Sequence, residues 1–388
     1  MQTTAAFTGL SCTDCGERQD AETTGRCPDC GAPLAPDYNL DAVDADAVAA
    51  GESAWDFDAV LPMPASAAVS IDEGDTPLVA CPSVAEELGV ESVLVKDEGR
   101  NPTGAFADRG ASVAVSAAAA AGAESVALPS PGTTGQSVAA YAGRADVDST
   151  VFVPTRAGFV RKAMINVHGG QMSVVEGRLN DAVRSYEKSE GDWAPARAFD
   201  SPYVVDGLKT MLYEVAAARD WTAPDAVIHP TGSGAGVVAS HRAASELTKL
   251  GLLDGSPSLY AAQAEGCAPI VDAFESGEAV EPVEHPDTIA GDVEDPDPPG
   301  GEAAVAACRE SGGAAVSVAD PEILESAVRL TARAGVELSV AGGVAAAAAW
   351  DLADEGAFDG DETIVLVNPD DGSKDADVLR SHLMGRGV

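Results

Sequence analysis

Four cysteines near the N-terminus fall into two pairs, Cys12-Thr13-Asp14-Cys15 and Cys27-Pro28-Asp29-Cys30, separated by an eleven-residue loop. A Cys-x-x-Cys turn aims two thiolates at one point, and the glycine after each pair, Gly16 and Gly31, permits the tight knuckle. Either pair alone would also read as a redox dithiol. Together at this spacing they read as a closed set of four sulfur ligands for tetrahedral Zn²⁺, a zinc ribbon over residues 1–33. With all four positions taken by sulfur, no site stays open for catalysis, so the metal is structural. Cys81, Cys267 and Cys308 stand alone in apolar or helical surroundings and read as buried thiols. The second cluster is Gly232-Ser233-Gly234-Ala235-Gly236, which follows a predicted strand and opens a predicted helix. Successive backbone N–H groups at a positive helix end make a nest for a phosphate. The same glycines would equally serve a tight turn or close packing of helix on strand. His229, on the strand just before, reads as a structural histidine.

These residues need elements to hold them. Residues 34–70 are polar and proline-bearing, with Trp55 and Phe57 as anchors, and read as a linker or arm lying on the main body. From Ile71 the chain alternates short β-branched runs with Ala-rich helical stretches. Predicted strands are Val93 to Lys96, Ser125 to Leu128, Thr150 to Pro154, Met172 to Val175, Ala226 to His229, Leu259 to Gln263 and Ile364 to Val367. Predicted helices are Arg109 to Ala121, stopped by Gly122, then Gln136 to Arg144, Phe159 to His168, Asn180 to Lys188, and one from Val237. The run Ala345 to Trp350 also reads as helix. Such alternation implies parallel sheets covered on both faces, two sheets rather than one, with ligands at the C-terminal strand ends.

The 388 residues carry 23 basic against 63 acidic side chains, a formal net charge of −40. That surface repels nucleic acid and anionic membranes, which need a basic patch. It suits the cytosol of a halophile, where concentrated salt screens the self-repulsion. At 45% hydrophobic residues the chain can bury a sizeable core, and no stretch has the length of a membrane span or the layout of a signal peptide. A cytoplasmic protein is expected.

The segment Lys96-Asp97-Glu98-Gly99-Arg100-Asn101-Pro102-Thr103-Gly104-Ala105-Phe106-Ala107-Asp108-Arg109-Gly110 resembles the lysine segment of threonine synthases, KDE-x-x-NPTGSFKDRG. Gly74-Asp75-Thr76-Pro77-Leu78 resembles the family's GxTPL strand. Gln263 to Ile270, Glu310 to Gly313 and Gly372-Ser373-Lys374-Asp375 are similar to segments further on, the last to its GLKD. An N-terminal zinc ribbon also occurs in some threonine synthases. The resemblance runs in order over about residues 71 to 380. It implies an α/β fold of the fold-type-II pyridoxal phosphate (PLP) architecture: two doubly wound α/β domains with a cofactor cleft between them, preceded by the ribbon. The smaller domain would be residues 99–203, and the larger 71–98 with 204–388.

Against that resemblance stand the departures. The family's Schiff-base lysine is here Ala107, which can neither hold the cofactor covalently nor move a proton. The family's Ser-Thr-Gly-Asn loop becomes Ser130-Pro131-Gly132-Thr133, leaving Thr133 as a shorter cofactor contact. The pyridine-nitrogen partner aligns with Pro369, which has no donor. The Asn-Pro-x-Arg clamp for the substrate phosphate becomes Ser201-Pro202-Tyr203-Val204. An IRIG stretch becomes Val293-Glu294-Asp295-Pro296, and Ser339-Val340-Ala341 replaces Glu-Pro-Ala. The cofactor-phosphate loop, Gly232, Ser233, Gly234, Ala235 and Gly236, persists. Two classes of function follow. One is a threonine-synthase-like relative that has lost Schiff-base chemistry, with no catalytic residue assigned: a non-catalytic homodimer, a hetero-oligomeric partner of a catalytic paralogue, or a binder of a phosphorylated small molecule. The other is a working PLP-dependent lyase using a displaced lysine, Lys374 in the bordering loop rather than Lys96 within a strand. Zinc and, by resemblance, non-covalent PLP are the cofactors to test.

Overall fold

The computed structural model describes residues 1–385. The chain divides into two compact units. One comprises residues 1–75, 101–222 and 242–254; the other comprises 76–100, 223–241 and 255 onward.

In the first unit, β1 (Phe7–Cys12), β2 (Arg18–Gln19) and β3 (Leu34–Tyr38) form a small antiparallel sheet in the order β2-β1-β3. The segment expected as a linker therefore begins as the ribbon's own third strand. Beyond it, Trp55 and Phe57 are buried, and the Trp55 Nε1 donates to Glu73 and to Ser112.

The other unit opens earlier in the chain than the first unit's main sheet, with β4 (Leu78–Ala80) and β5 (Ser92–Asp97). The first unit's sheet is β6 (Ser125–Pro129), β7 (Asp148–Pro154), β8 (Gln171–Val175) and β9 (Ala194–Pro195), all parallel in the order β8-β7-β6-β9. Short β-branched runs fill it because branched side chains fit a pleated surface buried on both faces. Helices Ala107–Ala120, Thr133–Arg144, Phe159–Val167 and Leu179–Glu187 pack on it. The 107–120 helix is buried on nearly every side, as an Ala, Ser and Val sequence allows, and Gly122 ends it at a positive φ of 82°.

The second unit adds β10 (Ala226–Pro230), β11 (Ser258–Ala264), β12 (Ala315–Val318) and β13 (Thr363–Asn368), in the order β12-β11-β10-β13-β5-β4. All are parallel except β4, which runs antiparallel to β5. The helix Val340–Asp354 lies in this unit's core, where its alanine run lets the backbone come close to the sheet.

The expected domain boundary after residue 203 differs from this division: residues 204–222 and 242–254 belong to the first unit. Close backbone packing explains the first of these. The helix Val204–Leu208 crosses the 107–120 helix so tightly that a Cβ on Gly207 would stand 2.2 Å from the Arg109 carbonyl oxygen, and one on Gly110 2.8 Å from that of Val204. Gly207→Ala is therefore expected to cost about 1–3 kcal/mol or more, since backbone cannot yield as a flexible side chain can. A urea midpoint unchanged from wild type would contradict this packing. Gly255→Ala, where nothing lies within 4 Å, is the matched control.

Candidate functional site

The ribbon brings Cys12, Cys15, Cys27 and Cys30 together, with all four sulfurs within 4.8 Å of one another. Cys12 and Cys30 are 3.4 Å apart, and Cys15 and Cys27 are 3.8 Å apart. A tetrahedron with Zn–S bonds of about 2.3 Å has S···S edges of about 3.8 Å, so the set fits the metal. Gly16 and Gly31 both take positive φ, 73° and 77°, and donate N–H bonds to the Cys12 and Cys27 carbonyls. The Cys12 thiol is pulled down to about 6, first by the Asp14 backbone N–H and further by that of Cys15. A thiolate held that way is ready to ligate a cation.

In the first unit, Ala107 is the first residue of the 107–120 helix and is half-buried. The turn before it is held by Asp108, whose carboxylate accepts from the Thr103 N–H at 2.7 Å and from its hydroxyl at 2.6 Å. The turn is thus built as the motif implies, but its key side chain is a methyl group. Thr133 opens the 133–144 helix, where the Ser130 hydroxyl accepts from the Gly132 and Gly135 N–H groups at 3.0 and 2.9 Å. The Thr133 hydroxyl is already engaged, by the buried Arg161 Nε at 3.1 Å. Sequence reasoning missed Arg161, whose place in an amphipathic helix gives no sign of burial. It also missed Gln136, one helical turn beyond Thr133. The Gln136 Nε2 donates to the Thr103 carbonyl, and its Oε1 is buried with no donor among the described residues. Val204 is buried against Gly110, so it serves as core packing.

In the second unit the glycine loop joins β10 to the helix Ala235–Lys249. A Cβ on Gly232 would meet the Val293 backbone at 3.2 Å, and one on Gly234, at a φ of 86°, would meet the Gly300 carbonyl oxygen at 2.7 Å. Close backbone approach alone therefore accounts for both glycines. Among the described residues, however, the N–H groups of Gly232, Ser233 and Gly234 meet no acceptor in hydrogen-bonding geometry. The donors a phosphate would use remain uncommitted. The segment packed on the loop continues into Glu294 and Asp295, both buried, which places negative charge on the chain beside it.

The remaining positions are settled by their partners. Asn368, at the end of β13, accepts from the Ser339 N–H at 3.2 Å and donates to Asp97 at 2.9 Å. Burial raises the Asp97 carboxyl. Ser339 caps the 340–354 helix, and Asp375 accepts from the Val340 N–H. Pro369 follows Asn368, half-buried and without an N–H. Lys96 is buried in β5 and donates to the Thr76 carbonyl at 2.7 Å. His229 is buried with its Nε2 2.9 Å from the Ser240 hydroxyl, and burial pulls its ring down to about 3, as a structural histidine requires. The Lys374 ammonium nitrogen differs from all of these: it is buried with no hydrogen-bond partner among the described residues. Cys81, Cys267 and Cys308 are buried.

A parallel sheet with a glycine loop between a strand's C-terminal end and a helix defines an α/β protein of doubly wound type. The sequence profile of the family described as "Pyridoxal-phosphate dependent enzyme" matches residues 69–370. The chain belongs to that family, with the fold-type-II architecture, and is a homologue of threonine synthases. It is 33% identical to the threonine synthase of Methanosarcina acetivorans over 92% of this chain and 90% of that one. With the threonine synthase of Methanocaldococcus jannaschii the figures are 32%, 94% and 93%. Among solved structures, maize serine racemase superposes with a TM-score of 0.66 at 18% identity, covering 81% of this chain and 94% of that one. A processed threonine deaminase isoform 2 from Solanum lycopersicum gives 0.64 at 21% identity, covering 79% and 82%. The last two bear on the fold alone.

The residues fit the family's cofactor only in part. The loop N–H groups suit its phosphate. Ala107 offers no amine, the Thr133 hydroxyl is held by Arg161, and Pro369 has no donor. No helix of the described residues is long and apolar enough to cross a membrane.

Proposed function

We propose that this chain is a threonine-synthase homologue that has lost Schiff-base chemistry and binds a phosphorylated small molecule at the glycine loop. The observation that carries the reading is Ala107 at the head of a helix whose preceding turn is otherwise intact. Loss of the lysine alone would suit a trap, but Val204, Pro369 and Thr133 are also changed or committed, and residues of one site act as a unit. Whether the chain acts as a homodimer or beside a catalytic paralogue in the cytoplasm is read by co-elution in concentrated salt.

Adding PLP is expected to give no visible absorption band, and borohydride reduction no lysine adduct in a peptide map. Inorganic phosphate at about ten times its dissociation constant should stabilise the fold by about 1.4 kcal/mol. No thermal shift at that level would leave the glycines with packing alone. A second reading rests on Lys374, whose buried nitrogen lacks a partner: a PLP-dependent lyase with a displaced lysine. A borohydride-trapped adduct on Lys374 would establish it and end the first reading.

A further inference from the structure

The zinc ribbon meets the rest of the first unit where Thr4 donates to the Leu61 and Pro62 carbonyls and, more extensively, at residues 195–206, which include the segment aligned with the family's substrate-phosphate clamp. The Arg26 Nε pairs with the Asp200 carboxylate at 2.8 Å. The Tyr203 hydroxyl donates to the Ala21 carbonyl, and the Tyr38 hydroxyl donates to the Asp206 carboxylate. A Cβ on Gly25 would stand 3.9 Å from Pro195. Ala21, Gly25 and Arg26 all lie in the loop between the two cysteine pairs, which the four thiolates close. Only Arg18 and Gln19 of that loop join the sheet, so residues 20–26 depend for their conformation on closure at the sulfurs.

Asp206 is in turn the centre of a buried polar cluster. The Lys209 Nζ lies 3.0 Å from it and 2.9 Å from Glu246, and the Arg242 guanidinium lies 3.2 Å from it. The Tyr213 hydroxyl donates to Glu246 at 2.7 Å, and Lys209 lies over the Tyr38 ring, 4.3 Å from its centroid. Two cations and two carboxylates balance in charge. Removing the Tyr38 hydroxyl takes one donor from the buried Asp206 carboxylate. Between Tyr203 and Asp206 stands Val204, packed on Gly110 in the first turn of the helix that Ala107 opens.

We infer that the metal-loaded ribbon is a positioning device: it fixes residues 200–206, and through the Val204–Gly110 and Gly207–Arg109 contacts the head of the 107–120 helix. Arg26, Tyr38 and the Ala21 carbonyl are the positioning groups. The inference goes beyond the proposed function and holds whether or not a phosphorylated ligand binds.

The test is hydrogen exchange of the full chain by mass spectrometry, with bound zinc measured on the same samples. Chelation is expected to remove about one zinc per chain and to raise exchange at 200–209 about tenfold or more, with peptides covering 344–352 in the second unit unchanged. The Tyr203→Phe and Arg26→Ala variants should keep their zinc yet show faster exchange at 200–209 before any chelator is added, and chelation should then add little. Zinc loss with unchanged exchange at 200–209 would overturn the inference. So would an equal rise at 133–144, which would mean that the metal holds the whole unit rather than this segment. A purified chain without stoichiometric metal would overturn it as well.

Discussion

Glu214→Gln should destabilise the first unit by about 3–5 kcal/mol, more than any surface substitution in the chain. Glu214 and Arg109 are both buried and meet through two parallel bonds, Nη1 to Oε1 at 2.5 Å and Nη2 to Oε2 at 2.7 Å. The Thr210 hydroxyl takes a further Arg109 N–H at 3.1 Å, and the Asp75 N–H donates to Glu214. An amide keeps the shape but removes the buried negative charge that meets the guanidinium through two bonds, and an arginine cannot relieve the loss by giving up its proton. The double variant Arg109→Met with Glu214→Leu removes both charges and should lose much less than Glu214→Gln alone. Urea unfolding in molar salt measures both. If the double variant were the less stable of the two, the pair would be contributing net stability, and the account of it as a matched but costly buried pair would fail. Because Arg109 lies two residues from Ala107, this pair also explains why the motif around the missing lysine survives: its Asp108 and Arg109 hold the helix head whether or not an amine is present.

That distinction separates what was legible in the sequence from what was not. Seven strands, β5, β6, β7, β8, β10, β11 and β13, followed from short apolar runs, because burial on both faces demands that composition. The ribbon followed from four cysteines, since few other arrangements use that spacing. β12 was not anticipated: its Ala-Val-Ser-Val is too short for periodicity, and its place depends on Gly313, where a Cβ would stand 2.0 Å from the Leu259 carbonyl oxygen. Assignment of residues 204–222 to the first unit was likewise invisible, because it depends on two glycines meeting across helices far apart in sequence. At the candidate site, the absences at Ala107, Val204 and Pro369 could be read one residue at a time. The contacts made by Thr133 and its neighbours could not. Arg161 reaches Thr133, and Gln136 reaches Thr103, by contacts that no local pattern encodes.

His229 gives the second large effect, and its sign is fixed by burial. An unfolded histidine titrates near 6.5, whereas the folded ring is pulled down to about 3. Between those values the unfolded chain holds a proton that the folded chain does not, so stability rises with pH across that window. The contribution is fully present above about pH 6.5 and is lost on acidification by roughly 1.4 kcal/mol per pH unit. His229→Gln keeps a group able to bond Ser240 and removes the titration. Its unfolding free energy, measured between pH 4 and 7 in molar salt, should vary less steeply than wild type by about one proton. The salt matters because it screens the carboxylates, whose own protonation is common to both proteins and cancels in the difference. The strand bearing His229 runs directly into Thr231 and the glycine loop, so acid should loosen the loop's anchorage before the far sheet edge, and phosphate protection should fade over the same window. Parallel pH profiles for wild type and His229→Gln would mean the ring takes up its proton without opening the core, and the histidine would then have access to a partner that the buried Ser240 hydroxyl does not supply.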